Sequence, residues 1–450
     1  MSPPPPPPHI AIVGAGITGL SLAAGLHARG VPFTVYERAS SRGAHGAGGA
    51  GIGLSPNAER AMGRLAPGVR RAYERVANPN GEDYFQWVDG LTREVVFRLF
   101  VGEGCFRGCR RADLVEELMG CVPGERVRYG RALRGVAGRD GGEGVTLLFE
   151  DGSDEVADAV IGCDGIRSRV RELLFGPAAA ATYSSKYSFR ALVPMAQARA
   201  SLPEHMVSTR YMYNGPGAHI ITYPVANNTL LNTLAVVSDP APWGPRQHGS
   251  SSSSRNPHVG TATAGEAGAA FEGWHPDVRA VVGLLPGEMD KWAIFDMLEH
   301  PVPRYHGGAN SATGSANTTC LAGDAAHAAG PHLGAGAGFG IEDALLLAEL
   351  LRAVRDEGVV STRGGGGARG DTLWARLAAA FEVYSEMRHG RTQWLVKHTR
   401  DAVDLFQWRD RDLSRSPDGF GREITWRFHE VWHYDIDKMV DQARQKLKTR

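Results

Sequence analysis

The sequence predicts an α/β protein: a parallel βαβ core, an inserted antiparallel sheet and a helical C-terminal region. Three observations predict it. Residues 9–16 (HIAIVGAG) are a short apolar run that ends in glycines, as buried parallel strands do. Residues 186–237 alternate and are rich in β-branched and aromatic residues (KYSFRALV, HIITYPV, LLNTLAVV), which suits an antiparallel sheet. Residues 341–356 and about 371–406 read as helices.

The elements follow in order. Residues 3–8 are all proline, so 1–8 are expected to form a disordered, polyproline-like tail. After the first strand, residues 17–30 carry apolar positions at helical spacing, and Gly30 is a natural stop. FTVYE at 33–37 reads as the next strand, which completes a right-handed βαβ unit. The stretch 43–53 holds six glycines and is expected to be a mobile loop without regular structure. Residues 126–161 read as a strand meander, and 318–327 as a strand and turn. The Ser/Gly/Ala/Thr-rich segment near 245–265 is expected to be a disordered surface loop. GGGG at 364–367 breaks the chain ahead of the C-terminal helices. The expected division is 9–181 and 305–360 for the two parts of a cofactor domain. Residues 182–304 make the inserted sheet domain, and 361–450 the C-terminal helices.

Composition narrows the function classes. The chain has 450 residues, enough for more than one packed unit. Lys+Arg and Asp+Glu both number 49, so global charge does not point to nucleic acid. Five cysteines without a CxxC pair argue against a disulfide framework or zinc site, and suit a reducing, cytoplasmic setting. No apolar run is long enough for a membrane span. The histidines form no metal-ligand pattern, and no GxSxG elbow is present.

Gly14-Ala15-Gly16-Ile17-Thr18-Gly19 fits G-x-G-x-x-G between a strand and a helix. Gly14 permits the tight turn, Gly16 lets backbone approach a pyrophosphate, and Gly19 allows close helix–strand packing. The helix N-terminus offers free N–H groups to phosphate. Glu37 lies 18 residues beyond Gly19, at the end of the second strand, where a carboxylate can accept ribose hydroxyls. The pattern alone does not separate FAD from NAD.

Two further stretches do. GCDGIRSRVR (162–171) and GDAAHAAGPHLGAG (323–336), in order after the fingerprint, resemble the signature set of the single-component FAD aromatic hydroxylases. The closest resemblance is to the salicylate hydroxylase-like branch found in fungi, and it covers nearly the whole chain from residue 9. It implies a Rossmann-like FAD-binding domain with an inserted antiparallel β-sheet substrate domain. It also implies FAD as cofactor, NADH or NADPH as reductant, and oxygen transfer through a flavin hydroperoxide.

Residue by residue, the resemblance assigns Asp164, beside Gly165, to FAD and to the approach of the nicotinamide. A helix cap is the plain alternative for Asp164. Asp324 would hold the ribityl chain, and Pro331 would lie against the flavin ring. Gly334, Ala335, Gly336 and Ala337 would offer backbone N–H groups to the flavin pyrimidine edge, where negative charge develops on reduction. Many relatives carry Gln and Asn in this loop, where this chain has Ala335 and Gly338, so backbone contacts must suffice. Arg111 begins RADL, an Arg-x-x-Leu helix start that implies an ionic contact with FAD; Arg110 could take that role instead. Arg38, Gly51 and Ile52 complete the expected cofactor contacts. His327 is read as structural.

In the inserted sheet, Arg190 (SFRALV) and Tyr223 (HIITYPV) match places where fungal relatives bind a phenolate or carboxylate. Arginine stays charged and forms a planar fork, so it suits an anionic aromatic. Tyr223 would donate a hydrogen bond and fix orientation. His219 is a weaker candidate for a proton relay. The expected function is hydroxylation of a phenolic, salicylate-like aromatic acid with O2. The alternatives are a secondary-metabolite (polyketide) hydroxylase, with or without dearomatisation of the ring, and a flavin-binding protein without turnover. The expected partners are a small aromatic substrate and O2, and the chain is expected to be a monomer or homodimer.

Overall fold

The computed structural model describes residues 7–43, 50–102, 104–139, 144–244, 257–307, 318–361 and 372–450. The proline tail through residue 6, residues 44–49 of the glycine-rich stretch, residues 245–256 and GGGG at 364–367 lie outside the described residues.

The fingerprint strand sits in a five-stranded parallel sheet. The order is Thr319–Leu321, Ala159–Gly162, Ile10–Val13, Phe33–Tyr36 and Val127–Arg128. Ile10, Ala11 and Ile12 have no exposed surface, as a strand covered on both faces requires. The helix Ile17–Ala28 leaves this strand and packs on the helix Gly336–Ser361. At the turn between strand and helix Gly14 takes φ +104°, and a Cβ there would come within 2.5 Å of the Cys163 carbonyl oxygen. Only glycine fits that turn. The antiparallel meander expected over 126–161 is present as Leu133–Gly138, Val145–Phe149 and Asp154–Ala157.

A second sheet has eight strands. Its centre is Thr182–Pro194, Leu230–Ser238, Ala218–Val225 and Tyr211–Gly215, side by side. Arg190 stands opposite Leu234, Leu234 opposite Ile221, Ile221 opposite Met212, and Met212 opposite Trp87. Side chains alternate along a strand, so these residues share one face with Ser188, His219, Tyr223 and Asn232. The other face presents Phe189, Ala191, Ala235, Ile220 and Tyr213. These form an apolar core with Met206 and with Val278 and Val281 of the helix Pro276–Val282. That face is spent on core. The first face is mixed: Trp87 and Met212 pack with Leu395, Phe406 and Phe420 in a further apolar cluster, while Arg190, Ser188 and Asn232 add polar groups.

The structure corrects four expectations. The sheet is wider than 186–237. It takes Tyr84–Asp89 and Val95–Phe100 from the segment assigned to the cofactor domain, and Val259–Thr263 and Glu288–Asp296 from beyond residue 237. Long-range pairing decides such membership, and local pattern does not reveal it. Gly51–Gly53 is a strand paired with Gly108–Arg110, where no regular element was expected, because the neighbouring strand supplies the hydrogen bonds. Residues 259–265 are likewise regular. Val259–Thr263 pairs with Glu288–Asp296, and Thr263 Oγ1 caps the helix Ala264–Ala270 by accepting from Glu266 N at 3.2 Å. The helix expected over 341–356 begins earlier, at Gly336.

The helix Leu373–Phe406 has 34 residues, about 50 Å of length. Its buried positions Tyr384, Arg388, Thr392, Leu395, Thr399, Ala402 and Phe406 recur every three or four residues, one continuous stripe. Arg388 is completely buried between two carboxylates of the helix Gly336–Ser361. Its Nη1 donates to Glu342 Oε2 at 2.5 Å and its Nε to Asp343 Oδ1 at 2.6 Å. Arg391 Nε and Asn57 Nδ2 also donate to Glu342, at 2.9 and 2.6 Å. Burial pushes the Asp343 carboxyl up, but His327 and Arg388 outweigh it and hold the group well below the usual range. A buried charge left without its partner is costly, so this cluster tolerates no missing member.

Two predictions follow from these ion pairs. Arg388→Met leaves two buried carboxylates short of their cation and should cost about 3–5 kcal/mol in denaturant unfolding. A loss under about 1 kcal/mol would contradict the arrangement. Glu349 is the second case. Burial pushes its carboxyl up, but Arg29 and Arg444 pull it down to about 2 from an ordinary value of 4.5. A depressed carboxylate stabilises the fold above its unfolded pKa, and that contribution disappears as pH falls toward the folded one. Glu349→Gln should therefore be less stable than wild type at pH 7, with the gap closing between pH 4.5 and about 2. Thermal unfolding across that range would show it, and a constant gap would argue against it.

Candidate active site

On the cofactor side, Glu37 grips the fingerprint turn itself. Its Oε2 accepts from Ala15 N and its Oε1 from Ala39 N, both at 2.8 Å. The remaining lone pairs stay available to ribose. A Cβ placed on Gly16 would meet nothing within 4 Å, so space lies open above the turn. Arg38 and Arg167 are exposed close by. Partial burial and the like charge of Arg38 push the Arg167 guanidinium down. Two neighbouring cations of this kind favour a polyanion.

Asp164 spends its carboxylate locally. Oδ1 accepts from Ser168 Oγ at 2.5 Å, and Oδ2 from Arg169 N and Val170 N at 2.7 and 3.2 Å. These N–H groups open the helix Arg169–Phe175, so capping accounts for the side chain. Asp324 differs. Its side chain is exposed although protein surrounds it, which places it on the wall of an internal cleft. Burial pushes its carboxyl up, opposed by His327, Arg111 and Arg171. Arg111 is exposed at the start of the helix Arg111–Met119 and faces Asp324, whereas Arg110 pairs with Asp113 at 3.5 Å. Of the two arginines, Arg111 is thus the one left for a cofactor.

The turn carrying Asp324 is held from behind. Asp343 Oδ2 accepts from Gly323 N at 2.9 Å and bonds His327 Nε2 at 2.6 Å, so His327 is structural. Beyond it come exposed Pro331, left-handed Gly334 (φ +61°) and buried Ala335, and then Gly336 and Ala337 open the long helix. Thr399 pins this loop. Its Oγ accepts from Leu333 N at 3.2 Å and donates to the Gly330 carbonyl at 3.0 Å. The strand carrying Gly51 and Ile52 reaches the other sheet, where Gly51 N donates to Asn232 Oδ1 at 2.8 Å. An open space above Gly16, an enclosed but accessible Asp324, and backbone N–H groups at a helix start together fit an extended dinucleotide ending in a flavin.

On the substrate side, Arg190 and Tyr223 lie on the same sheet face. Leu230–Ser238 runs between their strands, so their Cα rows stand two strand spacings, about 10 Å, apart. Arg190 Nε donates to Ser188 Oγ at 3.1 Å, and its guanidinium lies 5.1 Å from the Trp292 ring. Burial pushes it down to about 10, opposed by Tyr223, so it stays charged at neutral pH. Among the described residues no carboxylate pairs with it. The Tyr223 phenol is pushed up to about 12 by burial, against the pull of Arg210. His219 is the second residue of the Tyr223 strand. It is fully buried, bonded to Gln407 and pushed down to about 3 by burial, which disfavours a role as a proton carrier.

Sequence reasoning missed Arg210, Asn232 and Thr399. Arg210 lies one residue ahead of Tyr211–Gly215 and is 3 % exposed. It stands in no recognisable motif, and only the folded sheet brings it to Tyr223.

A dinucleotide turn, an accessible carboxylate enclosed at Asp324 and a sheet bearing an arginine without a carboxylate partner among the described residues point to a flavoprotein oxidoreductase. The NAD(P)-binding Rossmann-like domain family matches residues 12–50. The chain is 42 % identical to the FAD-dependent monooxygenase orf3 of Aspergillus niger, over 98 % of this chain and 97 % of that protein. It is 36 % identical to salicylate hydroxylase asL1 of Sarocladium schorii, over 99 % and 92 %. Its fold superimposes on a salicylate hydroxylase substrate complex with TM-score 0.77 at 29 % identity, over 97 % of this chain and 98 % of that one. The chain belongs to the FAD-dependent monooxygenases. Its cofactor is FAD, reduced by a nicotinamide nucleotide. Among the described residues no helix is long and apolar enough to cross a membrane.

Glu37→Gln should leave the fold intact and weaken FAD, because a neutral amide that still accepts from Ala15 N or Ala39 N offers ribose no charged acceptor. Losing one hydrogen bond to a charged group costs about 1.5–3 kcal/mol, roughly tenfold or more in the FAD dissociation constant. Fluorescence titration of the apoprotein measures it; unchanged affinity would remove Glu37 from the cofactor site.

Proposed function

We propose that the chain hydroxylates a phenolic aromatic, bound as an anion between Arg190 and Tyr223, with salicylate-like acids as the leading class. The observation that carries this is Arg190: a cation enclosed by protein, facing the cleft, with no carboxylate partner among the described residues. Removing such a charge from water is unfavourable unless an anion joins it. A phenolate or aromatic carboxylate supplies that anion. Ionising the ring oxygen also raises electron density at the carbons ortho and para to it, where an electrophilic oxygen attacks.

FAD, when bound, would supply the electrons that activate O2, and O2 supplies the oxygen atom transferred. The protein's part is placement. Arg190 fixes the anionic oxygen, and the Tyr223 hydroxyl, with no partner among the described residues, donates to it. Leu234 and Ile221 flank them on the sheet with apolar surface. Asp324, Pro331 and the helix start at Gly336 hold the flavin opposite. Arg38, Arg111 and Glu37 hold the rest of the cofactor, while Asp164 acts by shaping the turn beside Gly14. Residues 9–181 and 305–360 thus serve the cofactor and 182–304 the substrate, with 84–100 lending two strands to the substrate sheet.

The test is NAD(P)H oxidation by the holoenzyme with a panel of phenols and hydroxybenzoates, with product masses. Stimulation by phenols is expected. Loss of CO2 marks a salicylate-type reaction, and loss of ring absorbance marks dearomatisation of a polyketide-type phenol. Arg190→Ala should raise KM about 10–100-fold, the worth of one charged hydrogen bond, while FAD stays bound. Unchanged kinetics in this variant would exclude the assigned role.

A further inference from the structure

Arg210 is a second enclosed cation on the substrate face. Its guanidinium lies 4.3 Å from the Tyr223 ring centroid and 4.0 Å from that of Phe106, so it is sandwiched between them. Nη2 donates to the Phe106 carbonyl at 3.2 Å, while the buried Nε has no partner. No carboxylate touches it among the described residues. The two-stranded sheet of Gly51–Gly53 and Gly108–Arg110 lies against the pair. A Cβ on Gly53 would lie 2.8 Å from Arg210 Nη1, and one on Gly108 would lie 2.9 Å from Tyr223 Cδ2. The strand that carries Ile52 therefore rests on Arg210, and its partner strand Gly108–Arg110 rests on Tyr223.

A buried arginine without a counter-ion is costly, and packing alone would be served by an apolar side chain. We propose that Arg210 is a positioning residue that acts through Tyr223. Its charge, stacked on the Tyr223 ring, keeps the bound substrate oxygen ionised while Tyr223 donates its hydrogen to that oxygen. This rests on the reading of Arg190 and Tyr223 as the substrate contacts. The substrate releases its phenolic proton to solvent, Tyr223 keeps its own, and one negative charge is shared between the two oxygens. Arg190 approaches that charge from the strand Thr182–Pro194 and Arg210 from the edge of Tyr211–Gly215.

The other titratable groups around the pair leave this charge balance in place. From Gly108–Arg110, the Cys109 thiol is pushed up to about 12 by burial, so it stays neutral. From the helix Pro67–Val76, burial pushes the Tyr73 phenol far up, so it is neutral too. Glu59 lies beyond Tyr73 and is held by Arg70 at 3.0 Å and Arg107 at 3.7 Å. The Arg210 guanidinium is pushed down by burial to about 10, which leaves it charged at neutral pH.

The test is the acid limb of kcat, which reports ionisation in the bound state. It is measured on wild type, R210Q, R210M, R210K and Y223F holoenzymes with a phenol that wild type accepts. The visible phenolate band of a bound nitrophenol gives a second reading of the same ionisation. A cation within about 4–6 Å shifts an acid's pKa by about 1–3 units, so R210Q and R210M should raise the limb by at least about one pH unit. That is about a tenfold loss of rate on the acid side, vanishing at high pH. R210K should return the limb close to wild type. In a Y223F background, R210Q should add little. If the neutral variants lower kcat equally at every pH, Arg210 is packing and the proposal falls; either neutral variant that retains FAD decides this. If wild type responds to no phenol, the substrate reading falls together with this one. A responding wild type with unmoved limbs overturns only the role of Arg210.

Discussion

The fold depends on one buried arginine. Arg388 lies fully enclosed on the helix Leu373–Phe406, between Glu342 and Asp343 of the helix Gly336–Ser361. Charges in such a place are tolerated only as a complete set, so both helices must sit in one register for either to be stable. The same Asp343 holds Gly323 N and His327, which fixes the turn that presents Asp324. A structural ion cluster thereby sets the geometry of the cofactor wall.

The long helix that carries Arg388 also joins the two sheets. Thr399 secures the loop before the flavin-side helix. Arg400 makes a two-pronged contact with Asp296 on the large sheet, at 2.9 and 2.7 Å. Gln407, at its end, bonds His219 and the Val236 carbonyl. Relative placement of cofactor and substrate surfaces is thus set by one rigid element with a continuous buried stripe. Polar groups such as Arg190 and Asn232 sit beside, and do not replace, the apolar clusters that cover both faces of the large sheet.

Within that cleft the charges divide by task. The cofactor wall mixes carboxylates with exposed arginines, as a polyanion with sugar hydroxyls requires. The substrate face instead holds two arginines with no carboxylate beside them among the described residues. On the proposed reading, such a pocket would select anions over neutral or cationic rings of similar shape, a discrimination by charge more than by volume.

Much of this was legible in the chain itself. The apolar strand ending in Gly14, the glycine spacing, Glu37 and the motifs at Asp164 and Asp324 are local patterns, and local patterns survive reading in one dimension. So did the position of Arg190 and Tyr223 on a strand-rich segment. The structure alone decided that Asp164 caps a helix, that Gly51–Gly53 is a strand, and that residues 84–100 complete the substrate sheet. It alone brought Arg210 to Tyr223 and Thr399 to the flavin-side loop. The reason is physical. A turn or helix start is written in neighbouring residues, whereas a cation–ring stack or a strand pair joins residues far apart. Its partner is chosen only when the whole chain closes on its core.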